Sequence, residues 1–200
     1  NSASTAQTFT VVVANTNDAP TVTSTAVTTA TEDSAYSYTV TATDVDVGDT
    51  LTMTGTTVPS WLSFNATTGA LTGTPLDANV GANSVVITIN DGTVDVTDSF
   101  TITVANTNDA PDFTSTAVTA VNEDAAYSYT AAASDDDGDT VTLVGTTVPA
   151  WMSFNPTTGE LLGIPTNSEV GSHAVVITAT DTNSASTAQT FTVVVANTND

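Results

Sequence analysis

"AYSYTVTA" at Ala35–Ala42 places Tyr36, Tyr38, Val40 and Ala42 on one side of the chain and Ser37, Thr39 and Thr41 on the other. An apolar–polar alternation of period two is the mark of a strand with one face buried. The same alternation runs through Val85, Ile87 and Ile89 and through Phe100, Ile102 and Val104. Leu51 and Met53 mark a further strand, and Trp61 to Phe64 with Leu71 form a shorter pair around the turn "TTG" at Thr67–Gly69. Abundant Thr and Val agree with strands, because β-branched side chains suit a pleated, half-buried surface. No segment carries helical periodicity. About seven short strands in some 91 residues predict an all-β fold, an immunoglobulin-like Greek-key sandwich.

The pattern occurs twice. "EDSAYSYT" at Glu32–Thr39 returns as "EDAAYSYT" at Glu123–Thr130, and "GTTVPSWLSFNATTGALTGTP" at Gly55–Pro75 returns as "GTTVPAWMSFNPTTGELLGIP" at Gly145–Pro165. "NTNDAP" stands at Asn15–Pro20 and Asn106–Pro111, and residues 1–18 are identical to 183–200. Repetition at a fixed period signals tandem modules. The expected layout is a closing strand and linker over 1–18, one module over 19–109, and a second over 110–200 that ends in the next linker. Phe9, Val11 and Val13 alternate as Phe191, Val193 and Val195 do, so Thr8–Val13 is expected to form a strand, which without its own module lies on an edge, on the second module of a neighbouring chain, or loose. The chain opens in mid-phrase at Asn1 and reads as a piece of a longer array.

Composition narrows the function. The chain has 200 residues, 22 acids, one His, no Lys and no Arg, for a net charge of −22. Nucleic acid and anionic membrane surfaces need basic side chains and are excluded as partners. Self-repulsion must be offset by screening or by bound cations. There is no Cys, hence no disulfide and no thiolate metal site. Catalysis has little support: His173 lacks a Ser-His-Asp partnership, its counterpart is Asn83, and it reads as a surface residue. Trp61 and Trp151, each in "VPxW" ahead of Phe64 or Phe154, read as core; exposed faces on Trp61, Tyr36 or Tyr38 would instead mark a sugar platform.

The acids are concentrated. "SDDDGDT" at Ser134–Thr140 sets four carboxylates within five residues, and "TDVDVGDT" at Thr43–Thr50 is its counterpart. Alternate residues of an extended segment point the same way, so Asp135 converges with Asp137 and Asp44 with Asp46. Calcium takes six to eight oxygen ligands and suits such a group.

Together, "EDxAYSY", "DxDxGDT", "PxWxSFNxTTGxLxGxP", "VxITxxD" and "NTNDAP" resemble the dystroglycan-type cadherin-like domain of bacterial proteins. The resemblance covers both repeats. It implies cadherin-like sandwiches in tandem on a large secreted or surface-anchored protein, with calcium where modules join. Carried over residue by residue, it assigns the middle junction to Glu32, Asp77 and Asn79, the linker residues Asn106, Asn108 and Asp109, and Asp135, Asp137 and Asp181. A half-site at the start takes Asn15, Asn17, Asp18, Asp44, Asp46 and Asp91. A half-site at the end takes Glu123, Asn167, Glu169, Asn199 and Asp200. Asn106 and Asn79 stand where the family has acids, which implies fewer or weaker ions. The function so implied is a calcium-rigidified spacer in an extracellular adhesin or fibre, with neighbouring repeats as partners and no enzymatic activity. The alternative is a module that binds polysaccharide or a like module on another cell.

Overall fold

The structure, a computed structural model, describes residues 1–199; Asp200 lies outside the described residues. It comprises two compact units, residues 1–107 and the residues from 108 onward.

Unit 1 contains β1 (Thr21–Val22), β2 (Thr29–Thr31), β3 (Tyr36–Thr39), β4 (Ala42–Thr43), β5 (Thr52–Thr57), β6 (Leu62–Asn65), β7 (Ala70–Gly73), β8 (Gly81–Asn90) and β9 (Asp95–Ala105). One sheet has the order β2-β9-β8-β5, with β2 parallel to β9. A second has the order β3-β7-β6, and β1 pairs with β4 alone. The long β8–β9 hairpin runs in register from Gly81 opposite Val104 to Asn90 opposite Asp95. Val85, Ile87 and Ile89 on β8 and Ile102 on β9 are fully buried against Tyr36, Tyr38, Val40 and Leu71. Full burial of one such aliphatic side chain contributes about 1.5–3 kcal/mol, so these alternating positions dominate the fold's stability.

Unit 2 repeats the pattern with β10 (Asp112–Phe113), β11 (Ala120–Asn122), β12 (Tyr127–Thr130), β13 (Ala133–Ser134), β14 (Thr142–Thr147), β15 (Met152–Phe154), β16 (Glu160–Gly163), β17 (Gly171–Thr180) and β18 (Ser186–Ala196). Its sheets have the orders β11-β18-β17-β14 and β12-β16-β15, with β10 on β13. Leu161, Val175, Ile177 and Val193 are the fully buried counterparts in its core.

Among the described residues each unit has nine strands where about seven were expected, two of the nine being only two residues long. The run Tyr36–Ala42 is divided between two pairings: Tyr36–Thr39 lies on β7, whereas Ala42–Thr43 lies on β1. The expected strand over Thr8–Val13 does not form. Residues 4–14 have the sequence of β18 but make no ladder, and Phe9 is 79% exposed. In unit 2 that sequence is a strand because β17 and β11 flank it; the alternation alone supplies no partner.

Candidate metal centres

In unit 1 the first linker is tied to the acidic loop. Asn15 Nδ2 donates to Asp46 Oδ1 at 2.7 Å, and the Asp18 N–H donates to Asp46 Oδ2 at 2.7 Å. Asn17 Nδ2 donates to Asp91 Oδ2 at 3.0 Å. The Asp46 N–H donates to Asp44 Oδ1, which folds the loop so that Asp44, Asp46 and Asp49 bring carboxylate oxygens within 4.8 Å of one another. Asp44 Oδ2 is buried and takes no hydrogen bond. Partial desolvation, followed by the charges of Asp44, Asp46 and Asp91, holds the Asp49 carboxyl above the usual carboxylate range. Asp91 is held below it, first by the Val94 N–H and then by the Asn17 amide.

Unit 2 builds the same arrangement from its own residues. Asn108 Nδ2 donates to Asp181 Oδ2 at 2.6 Å, and the Asp109 N–H donates to Asp137 Oδ2 at 2.8 Å. The N–H groups of Asp137 and Asp139 both reach Asp135 Oδ1, and Asp135 Oδ2 is buried without a partner. The Asn108 amide, and after it the N–H of Ala185, lowers the Asp181 pKa. Asn183 Nδ2 bonds Asp139 Oδ2 and Asn108 Oδ1. Asp49, Asp139 and Asn183 were missing from the sequence assignment. The first two fill the same place in the quoted "GDT", which could have revealed them; Asn183 carries no local signal.

A second kind of anchor lies where each unit's last strand runs into its linker. Glu32 is 1% exposed; its Oε1 accepts the Thr107 N–H at 2.9 Å, and its Oε2 is buried with no partner. Glu123 does the same for Thr198, with a 2.6 Å bond to Oε1 and an orphaned Oε2. Asn167 Oδ1 accepts from Asn197 Nδ2 at 3.2 Å. The other residues assigned here point to local roles. Asn79 Oδ1 caps the Leu76 N–H, and Glu169 takes the Thr166 N–H and hydroxyl and the Ser168 hydroxyl. Asp77 is exposed on the 3₁₀ turn Asp77–Asn79.

Among the described residues four carboxylate oxygens, on Glu32, Asp44, Glu123 and Asp135, are therefore buried without a donor, at equivalent places in the two repeats. Buried acceptors are normally satisfied, and an all-oxygen set of carboxylates and carboxamides suits a hard divalent cation. These residues fit calcium. The amides of Asn15, Asn17 and Asn108 turn N–H toward the carboxylates here; holding a cation requires them to present oxygen instead.

The aromatic rings belong to the interior. Tyr36 and Tyr38 are buried, Trp61 packs edge-on against Tyr36 at 5.7 Å, and its Nε1 donates to Asn83 Oδ1. Burial pushes the Tyr36 and Tyr127 hydroxyls up to about 12. His173 is half-buried rather than a surface residue, edge-on to Trp151 at 5.6 Å. Among the described residues no helix is long and apolar enough to cross a membrane.

Residues 19–105 and 110–196 each match the family profile described as "Putative Ig domain". The serine-rich adhesin for platelets of Staphylococcus aureus is 30% identical over 149 residues, 71% of this chain and 6% of that protein. The chain therefore spans a small fraction of its curated relative. Among solved structures, PcdhgB3 EC1-4 aligns over 90% of this chain and 50% of its own with a TM-score of 0.52 at 17% identity, a likeness of fold alone. The endo-fucoidan hydrolase MfFcnA4 of glycoside hydrolase family 107 is 28% identical over 85% of this chain and 27% of its own, with a TM-score of 0.40.

Proposed function

The chain belongs to the Putative Ig domain family, with two tandem copies, and on that premise we propose that it is a calcium-stiffened spacer from a long extracellular adhesin or fibre. The observation that carries the reading is the repeated set of buried carboxylate oxygens without donors beside each linker. Relatives named as adhesins support a surface setting. The neighbouring repeats are the proposed partners, across modules taken to run over 19–109 and 110–200. We read the chain as non-enzymatic: its one imidazole hydrogen-bonds the Glu169 carbonyl and packs on Trp151.

The proposed ligands are those that each unit gathers. Asn15, Asn17, Asp18, Asp44, Asp46, Asp49 and Asp91 serve the first unit; Asn106 stands in the linker; Asn108, Asp109, Asp135, Asp137, Asp139 and Asp181 serve the second; Glu32 and Glu123 supply a buried carboxylate each. Calcium would supply coordination in place of carboxylate repulsion. The chain's own part is to fix the linker. Glu32 grips the Thr107 N–H, and the next two residues, Asn108 and Asp109, are gripped by Asp181 and Asp137. The linker's Pro111 restricts the backbone further.

The test is small-angle scattering in millimolar calcium and in excess chelator. The expected result is a longer maximum dimension with a narrower spread in calcium, lost in the Asp135→Asn/Asp137→Asn variant. Identical profiles in calcium and chelator would overturn the spacer reading.

A further inference from the structure

One face of unit 2 differs in chemistry from its counterpart in unit 1. Where the first repeat has Thr54, Ser60, Thr72 and Thr74, the second has Val144, Ala150, Leu162 and Ile164. All four sites are exposed: Val144 by 55%, Leu162 by 41%, Ile164 by 60%, and Ala150 with them. Exposed apolar residues scattered singly need no explanation, but a contiguous group of them marks a contact surface. These are contiguous. Ala150, Trp151 and Met152 line a groove of about 600 Å³ together with Leu162 and Ile164. Ala150 and Met152 also line an adjoining hollow of about 480 Å³ with Val144. No acid lines either one, although the chain carries 22. Acids flank this lining along the backbone instead. Glu160 opens β16 two residues before Leu162, and the Asp124 N–H donates to the carbonyl of Pro165, the residue after Ile164.

We propose that this groove binds an extended polypeptide segment of another protein, whose apolar side chains fill it and whose Lys or Arg side chains meet the acids that flank it. Charge complementarity selects this occupant over a second copy of the chain. Each copy carries −22 and no cation, so two such grooves would bring only like charges together. It also fits a polypeptide better than a sugar. The Trp151 ring is engaged edge-on by Tyr127 and His173, and the lining is mainly apolar, whereas sugar hydroxyls need polar partners.

The test is isothermal calorimetry of the whole chain, at roughly physiological salt to damp non-specific attraction. The probes are a short peptide alternating Val and Lys, a Thr/Lys control and a Val/Glu control. The Val/Lys peptide is expected to bind at one site, and both controls about tenfold or more weakly, a difference of about 1.4 kcal/mol. The Val144→Thr/Ala150→Ser/Leu162→Thr/Ile164→Thr variant installs residues that the same positions hold in unit 1, and should lose binding to the same extent. The reciprocal graft, Thr54→Val/Ser60→Ala/Ala70→Glu/Thr72→Leu/Thr74→Ile, which also supplies the acid that unit 1 lacks at the position of Glu160, should raise the stoichiometry to two, which protects the test against misfolding of the first variant. Equal binding of the Val/Lys and Thr/Lys peptides would reduce the effect to bulk charge and overturn the proposal. So would no binding of the Val/Lys peptide. Concentration-dependent self-association abolished by the first variant would overturn it too, by making a second copy the occupant.

Discussion

At the scale of single residues, the two repeats act as controls for each other. Asn83 satisfies Trp61 completely: its Oδ1 accepts the indole N–H, while its Nδ2 donates to Asn79 O and Gly81 O. At the corresponding site His173 Nε2 lies 2.6 Å from Glu169 O, which makes that nitrogen the donor, and Trp151 Nε1 is left buried with no acceptor. A buried donor without a partner costs about 1–3 kcal/mol. His173→Asn is therefore expected to stabilise unit 2 by about 1 kcal/mol, read as a higher denaturant midpoint with an unchanged slope. A lower midpoint would mean that the ring contact with Trp151 outweighs the missing bond. The carboxylates give a second expectation. Hydrogen bonds hold Asp91 and Asp181 below the usual range in the folded state. A depressed folded pKa contributes stability that is fully present above the unfolded value, about 3.9, and is lost as pH falls through the folded value. Melting at a series of pH values should show both units weakening below about pH 4, and Asp181→Asn should flatten that acid limb for unit 2 alone.

At the scale of the element, backbone turns decide where strands stop. Gly69 closes the β6–β7 hairpin at φ +70°, and a Cβ there would lie 2.3 Å from Val40 O, the residue whose own N–H bonds back to Gly69 O. Gly159 has φ +73° and the same approach to Ala131 O. Gly69→Ala should destabilise unit 1 by about 2–4 kcal/mol, from the left-handed backbone and the clash together; urea unfolding should show the first unit melting earlier and the second unmoved. An equal loss in both units would show that the two do not unfold independently. This turn was legible as "TTG", and so were the β8 and β9 cores, because period-two burial leaves a direct trace in sequence. Interruptions were not legible. Nothing in Tyr36–Ala42 announces that its first residues will pair with β7 and its last with β1. The failure over Thr8–Val13 has the same origin: a ladder is a property of two segments, and local pattern reports only one. The acids followed this rule as well. Those close in sequence, such as Asp44 with Asp46, were visible as a group, whereas the bonds of Asn183 to Asp139 and Asn108 depend on the folded loop. Asn79 and Glu169, assigned to the metal by resemblance, accept hydrogen bonds from the residues that open their own 3₁₀ turns, a local role that the sequence did not announce.

At the scale of the whole molecule, the question is whether a charge of −22 is merely endured or used. Self-repulsion destabilises compact states, and any salt relieves it, since the Debye length is about 10 Å at 0.1 M. If repulsion were the entire effect, sodium and calcium at matched ionic strength would protect the fold nearly equally. The orphaned oxygens of Asp44 and Asp135 argue for a specific effect, because screening by diffuse ions leaves a buried acceptor unsatisfied and direct coordination does not. An ion that binds only the folded state adds about 2.7 kcal/mol at a hundredfold excess over its Kd. For a unit of about 100 residues, each kcal/mol raises Tm by roughly 4–8 °C. Millimolar calcium is therefore expected to raise both unfolding transitions by about 10 °C over sodium chloride of the same ionic strength, and chelator should reverse it. Asp44→Asn with Asp46→Asn should remove most of the gain from unit 1 while unit 2 keeps its own, because Asp135, Asp137 and Asp181 are untouched. Calorimetry that gave the same Tm in the two salts would reduce the acidic loops to solvated surface, and with it the calcium-stiffened spacer would fall.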